Sequence, residues 1–273
     1  MLPSKTGPPQ QIPTVLVFGG HDPSGGAGIA ADISTLLALG CHPMVVITAI
    51  TVQNTKQLQR YQLLDPELIA AQAAALLEDT PIAACKTGML GSAAIVAAVA
   101  KAVTALSTTV PLVVDPVLYA DRGGPLGEPD LVAALQTSLL PRAALATPNV
   151  NECRALTSTA EPDQAARELM ARGCNNVLVT GTHAPTPKVV HRLYQASSEA
   201  VEMSQWPRLS GVFHGSGCTL ATAVAAHLAH GEAMADAVNH ALEYTWQSLR
   251  RAYRPGSGQS IPQRLWRLHG TRP

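Results

Sequence analysis

The chain has 273 residues, 47% hydrophobic and only 14% charged, a composition with a thin polar surface and ample material for a core. Lysine plus arginine and aspartate plus glutamate number 19 each with no long run of either sign, which excludes the electrostatic footprint of a nucleic-acid or membrane-surface binder and leaves a small molecule as the expected ligand. Five cysteines, Cys41, Cys85, Cys153, Cys174 and Cys218, stand far apart with no CxxC pair, so neither a structural zinc site nor a disulfide framework is indicated and a reduced, cytoplasmic setting is expected.

Residues 1–13, MLPSKTGPPQQIP, read as a flexible tail, because prolines and polar groups stand where a secretory signal needs an apolar core. No stretch reaches the apolar length of a membrane span. TVLVFGG from Thr14 is a strand stopped by glycines, and GIAADISTLLAL then sets Ile29, Ile33 and Leu36 on one helical face before Gly40 closes it. PMVVITAI from Pro43 reads as a buried strand, and DPELIAAQAAALLED from Asp65 opens a helix with a cap and a proline. IAACKTG from Ile82 precedes a helix from Ser92, and PLVVDPV from Pro111 precedes one near Glu128. ALATPN from Ala144 precedes one or two more, and NVLVTG from Asn176 is the next strand. A two-residue period in KVVHRLYQ and AVEMSQW marks an antiparallel edge hairpin. Beyond Glu232, the residues Val238, Leu242, Trp246, Leu249 and Tyr253 form the inner face of a last long helix. From Pro255 the run RPGSGQSIPQ mixes helix breakers with small polar residues, and 255–273 is expected to fray. This alternation predicts an α/β fold with a mainly parallel sheet between two helical layers, in a single domain over residues 14–254.

In such a sheet the chemistry gathers beyond the carboxyl ends of the strands. The segments there are GGHDPSGGAG, TVQNT, KTGML, DPVLYADRGG and TPNVNE. Gly26 to Ala31 satisfies the dinucleotide pattern GxGxxA, which carries an oxidoreductase reading. The acid expected on a cofactor ribose about 20 residues later is missing, and Asp22-Pro23-Ser24-Gly25 reads as a plain turn. In HGSGCT, residues 214–219, Gly215, Ser216, Gly217 and Cys218 open a helix whose first N–H groups lack acceptors. Glycine lets those groups approach an oxyanion, and the positive helix end is expected to lower the Cys218 thiol pKa. A capped helix with a small buried cysteine fits the same residues. TPNVNE is open in the same way: Asn149 and Glu152 have capping-box spacing, while Glu152 with Asp115 of VVDPV makes two strand-end carboxylates suited to magnesium.

Taken together, GGHDPSGGAGIAADI, ITAITVQNT, KTGMLGS, VVDPV, TPNVNE and HGSGCT resemble, in order and spacing, the hydroxymethylpyrimidine and phosphomethylpyrimidine kinases, a branch of the ribokinase superfamily serving thiamine biosynthesis. The resemblance covers residues 14 to 253. It implies a three-layer ribokinase-like fold, often dimeric, that uses ATP and Mg2+ to phosphorylate 4-amino-5-hydroxymethyl-2-methylpyrimidine, its monophosphate, or both. It implies a proton-accepting role for Cys218, where most of the wider superfamily has aspartate, and a phosphoryl cradle from Gly215, Ser216 and Gly217. Pyrimidine contacts are implied for Gln53, Gly20, Asp32 and Met89. The Gln53 amide suits this, accepting from the 4-amino group and donating to the adjacent ring nitrogen. For Asp32 a solvated helix position is the alternative, and for Met89 a core one. Thr180, Gly181, Arg122 and Asn149 are implied on the nucleotide, and Asp115 and Glu152 near magnesium. The run Thr180-Gly181-Thr182-His183 departs from a lysine-bearing form, and so does Asp121-Arg122-Gly123-Gly124. The alternatives are a pyridoxal-type kinase, whose substrate is also a hydroxymethyl-bearing aromatic ring, and a non-catalytic pyrimidine sensor, which the altered run from Thr180 to His183 keeps open.

Overall fold

Val15, Leu16, Val17 and Phe18 are all fully buried in β1 (Thr14–His21), the pattern of a strand covered on both faces. Leu16 and Phe18 enter one apolar cluster and Val15 and Val17 another, because successive side chains of a strand point to opposite sides. The computed structural model describes residues 12–120, 124–182 and 186–267.

After β1 come α1 (Gly28–Ala38), β2 (His42–Gln53), β3 (Leu58–Leu63), α2 (Pro66–Asp79), β4 (Ala84–Thr87), α3 (Ala93–Ala105) and β5 (Leu112–Val114). A small hairpin of β6 (Tyr119–Ala120) and β7 (Gly124–Pro125) follows, then α4 (Leu131–Ala134), which runs on through a π turn and a 3-10 turn to Arg142. The rest is β8 (Leu145–Ala146), α5 (Val150–Thr157), α6 (Pro162–Ala171), β9 (Asn176–Val179), β10 (Lys188–Gln195), β11 (Ser198–Pro207), α7 (Ser216–Ala229) and α8 (Met234–Arg250).

The described residues form a nine-stranded sheet in the order β11-β10-β9-β8-β5-β4-β1-β2-β3. Pairings from β9 across to β2 are parallel, while β10 and β11 at one edge and β3 at the other are antiparallel. The α/β architecture and the edge hairpin of β10 and β11 agree with the sequence pattern. The strand β3, LQRYQL, was not foreseen: it is an edge strand with mostly exposed polar positions and has no apolar run to announce it. One layer packs α2, α3, α5 and α6 on the sheet, and the other packs α1, α7 and α8. Because β1 has β2 on one side and β4 on the other, the order reverses there, and a crevice opens beyond the carboxyl ends of these strands.

The chain after α8 does not fray, contrary to the expectation for residues from Pro255, as far as residue 267. Ile261 and Arg264 are buried. Tyr253 and Ile261 exchange backbone hydrogen bonds of 3.0 and 2.8 Å, and the Gln263 N–H donates to the Ser248 carbonyl at 2.9 Å. Fully buried Tyr244 of α8 donates its hydroxyl to the Arg264 carbonyl at 2.7 Å. The small residues of RPGSGQSIPQ thus serve a tight path across the molecule. Tyr244→Phe removes the donor and leaves that carbonyl unpaired, so unfolding in urea should show a loss of about 1–2 kcal/mol; an unchanged midpoint would mean that the segment is held by other contacts.

Candidate active site

The crevice is a cavity of about 530 Å³, walled by the ends of the parallel strands and the start of α7. At its floor lies an ion pair. The Lys86 ammonium of β4 sits 3.1 and 3.2 Å from the two carboxylate oxygens of Asp32 in α1, and both side chains are shut off from solvent. Thr222 of α7 also donates to Asp32. Burial works against the Lys86 charge, but Asp32, with Cys218 and Asp115 nearby, outweighs it and holds the ammonium protonated well above the ordinary lysine range. Asp32 is therefore no solvated helix position, and both of its oxygens are occupied. Lys86 was missed at the sequence level, although a lone cation inside the apolar strand IAACKTG was a visible signal.

Above this floor α7 opens. Gly215 caps the helix at φ 82°, and a Cβ on it would stand 2.0 Å from the Gly26 carbonyl, so the two glycine turns are in backbone contact. A Cβ on Gly217 would meet nothing within 4 Å; this residue faces open space at the helix start, as a backbone that receives a ligand does. Ser216 and Cys218 line the cavity beside it. The expectation that the helix end lowers the Cys218 thiol is reversed. Burial pushes it up to about 12; Lys86 pulls downward, but Asp115 and Asp32 add to the rise.

The opposite wall carries Gln53 at the end of β2. Its Nε2 lies 2.8 Å from the His214 ring, and the same ring nitrogen lies 2.8 Å from an Asp22 carboxylate oxygen. The Gln53 amide nitrogen can only donate and the carboxylate can only accept, so the first contact needs this ring nitrogen bare and the second needs it protonated; the charged acceptor Asp22 makes the stronger bond. Burial raises the Asp22 carboxyl, yet hydrogen bonds from His214 and Ser24 overcome that and leave it below its ordinary value. Asp22 also accepts from the Ser24 and Ala27 N–H groups at 2.8 and 2.9 Å, so HDPSGG is the side-chain-closed turn and not a dinucleotide loop. Gly20 and Met89 line the same cavity as Gln53: Met89 is 8% exposed, and its sulfur would lie 3.0 Å from a Cβ on Gly20. Asp22 and His214 are the other residues that sequence reasoning passed over, although both stand inside motifs it had singled out.

Asp115, Asn149, Glu152 and Thr180 line a third side. Asn149 and Glu152 form the full capping box of α5, with the Asn149 oxygen accepting from the Glu152 N–H at 3.0 Å and the Glu152 carboxylate accepting from the Asn149 N–H at 2.9 Å. Capping and cavity lining are thus both true of this turn. Asp115 Oδ1 accepts from Thr147 at 3.4 Å, while its buried Oδ2 has no hydrogen-bond partner among the described residues. Burial raises this carboxyl above the usual range, Asp32 adds to the rise and Lys86 opposes it. Gly181 is not brought to the cavity; a side chain there would strike the Val190 carbonyl at 1.9 Å, so packing against β10 accounts for the glycine. Arg122 lies outside the described residues.

A family model described as phosphomethylpyrimidine kinase matches residues 22–263. The hydroxymethylpyrimidine/phosphomethylpyrimidine kinase of Mycobacterium tuberculosis is 39% identical over 261 residues, covering 94% of this chain and 95% of that protein. An ADP complex of Bacillus subtilis pyridoxal kinase superposes with a TM-score of 0.84 at 29% identity, covering 94% of this chain and 100% of the other. The phosphomethylpyrimidine kinase of Clostridium difficile 630 gives a TM-score of 0.75 at 32% identity, with 88% and 100% covered.

The raised thiol makes a direct prediction. A thiol pushed to about 12 is almost wholly protonated at pH 8, so alkylation of Cys218 by iodoacetamide, followed by peptide mass spectrometry, should be slower than for free cysteine and keep rising beyond pH 10. A rate that levels off near pH 8 would show that the helix end governs the thiol after all.

Proposed function

The chain belongs to the phosphomethylpyrimidine kinase family, and on that premise we propose that it phosphorylates the hydroxymethyl group of 4-amino-5-hydroxymethyl-2-methylpyrimidine, its monophosphate, or both, for thiamine biosynthesis. It is a phosphotransferase with ATP as donor, a choice supported by the ADP bound to the pyridoxal kinase of the same fold. The observation that carries the reading is the meeting, in one cavity, of the Gln53 amide with the unobstructed amides at the start of α7.

In this scheme Gln53 reads the edge of the pyrimidine, Gly20 gives it room, and Met89 lays its thioether by the ring. Asp32 acts one step back, fixing Lys86 beneath the ring site. The N–H groups of residues 215–218 receive the transferred phosphoryl group where its charge develops. The substrate oxygen forms its bond to phosphorus as the bond to ADP breaks, in line. Cys218 is protonated in the free protein, so its part is contact with the attacking hydroxyl, whose proton passes late to an oxygen of the transferred group. A loose transition state asks little of a base, which makes that assignment sufficient.

Thr180 and Asn149 lie on the proposed nucleotide side. The orphaned Asp115 oxygen is a donor a cation would satisfy, with Glu152 in the same wall, so these residues fit Mg2+. Bound there, the ion supplies charge neutralisation for the phosphates. We further propose a cytoplasmic homodimer, with Ile50 and Val52, exposed on β2, as apolar surface a second copy would cover. No described helix is long and apolar enough to cross a membrane.

The second reading, a pyridoxal-type kinase, is favoured by the higher TM-score of the B. subtilis structure. Coupled ADP-release assays with each pyrimidine and with pyridoxal separate the two, and ADP release should follow the pyrimidines. Cys218→Ala should cut kcat by about 100-fold with ATP binding retained, as expected for a displaced reacting hydroxyl. Gln53→Leu should raise the pyrimidine KM by about tenfold for the lost hydrogen bonds. Turnover of pyridoxal alone would decide for the second reading, and binding of the pyrimidine without ADP release would make the chain a sensor.

A further inference from the structure

Residues 251–267 form a strap across one rim of the cavity. The Gln259 N–H donates to the Thr55 carbonyl at 2.7 Å, two residues beyond Gln53. The Ser260 carbonyl accepts from the His214 N–H, and the Ser260 N–H donates to the Val212 carbonyl, both at 2.9 Å. The strap therefore ties the turn that carries Gln53 to the segment that carries His214 and leads into α7.

Its deepest residue is Arg264, 4% exposed. The guanidinium reaches both glycine turns at once. Nε donates to the Thr219 hydroxyl at 2.8 Å, Nη2 to the Gly26 carbonyl at 2.6 Å and the Gly215 carbonyl at 3.5 Å, and Nη1 to the Gly25 carbonyl at 3.4 Å. Thr219 in turn donates to the Gly215 carbonyl at 2.8 Å. No carboxylate among the described residues lies at ion-pair distance from Arg264. A buried cation that spends its donors on the carbonyls of two turns fixes where the opposite ends of those peptides, the N–H groups, point. Gln259 adds a different observation. It is 5% exposed, it lines the cavity, and its Nε2 has no hydrogen-bond partner among the described residues. A buried amide donor without an acceptor is costly unless a ligand supplies one.

We propose that the strap is a working part of the site: Arg264 is a positioning residue that holds the two glycine turns so that the α7 amides converge on the moving phosphoryl group, and Gln259 donates to an acceptor atom of the bound ring substrate. Both roles rest on the kinase reading given above. They split the kinetics in opposite ways. Arg264 acts on the transition state through the cradle, so it governs kcat. Gln259 touches the substrate before and during transfer, so it governs KM.

Arg264→Lys keeps the charge but loses the fork, and Arg264→Ala loses both. In Arg264→Ala, kcat should fall by about 100-fold with the pyrimidine KM within about twofold, and added guanidinium ion should restore part of the loss. Arg264→Lys should fall between the two. Gln259→Leu should raise KM by about five- to tenfold at near-constant kcat. Unaltered kcat in both Arg264 variants, or losses that match the unfolded fraction seen by near-ultraviolet circular dichroism, would overturn the positioning role. An unaltered KM in Gln259→Leu would overturn the contact. Calorimetric titration with ADP, magnesium and aluminium fluoride, a mimic of phosphoryl transfer, should show weaker binding in Arg264→Ala. That arm needs no pyrimidine, so it judges Arg264 even if the wild-type chain turns over neither pyrimidine. A wild-type chain that binds neither pyrimidine nor pyridoxal would defeat the Gln259 contact together with the function it rests on.

Discussion

The ion pair of Lys86 and Asp32 has no water to share its charge, so each side chain can only be where the other is. Two ions removed from solvent contribute little net stability, but a single one left without its mate is strongly unfavourable. What the pair confers is location. Asp32 belongs to α1, Lys86 to β4, and Thr222 of α7 closes on the same carboxylate, so three elements from both sides of the strand-order reversal meet at one point. The glycine turns, the start of α7 and Gln53 are all arranged around that fixed floor.

The electrostatics follow from it. A helix N-terminus favours a thiolate by a modest amount, and that effect fades within a turn. Burial among Asp115 and Asp32 acts in the other direction and is the larger influence on Cys218. Asp32 keeps Lys86 charged, so the pair at the floor is close to neutral while the opening of α7 retains its positive end. Such a corner suits an anion that arrives with its own counter-ion better than it suits a resident thiolate. This is why the chemistry proposed here relies on position and field, and little on a strong base.

Much of this was legible in the residues. Apolar runs between glycines announced the parallel strands, because a strand covered twice needs no polar alternation, and the loops after those strands held much of the cavity lining. The strands β10 and β11, the segment before α7 and α8 supply a share the motifs did not announce. What escaped has physical causes. LQRYQL is an edge strand and lacks an apolar face. Lys86 carries a side chain ordinarily found in solvent, and its partner lies 54 positions away in the chain. Gly181 suited a nucleotide loop, yet the Val190 carbonyl explains it. The Cys218 thiol went the wrong way because a motif displays the helix end and conceals the desolvation and the Asp115 and Asp32 carboxylates around the sulfur, which lines the cavity. RPGSGQSIPQ has the composition of a loose tail, and composition does not distinguish a chain that wanders from one pinned by backbone hydrogen bonds.

The strap also bears on the order of events in folding. Arg264 and Gly26 are 238 positions apart, so a contact that joins the two glycine turns links segments near opposite ends of the described chain. Closing a loop of that length is slow relative to forming local helices and neighbouring strands. Local helices and neighbouring strands can therefore form before that contact closes, and the anion pocket is completed late in folding. Under the role proposed for Arg264, the chain acquires its layered shape before its two glycine turns are locked together.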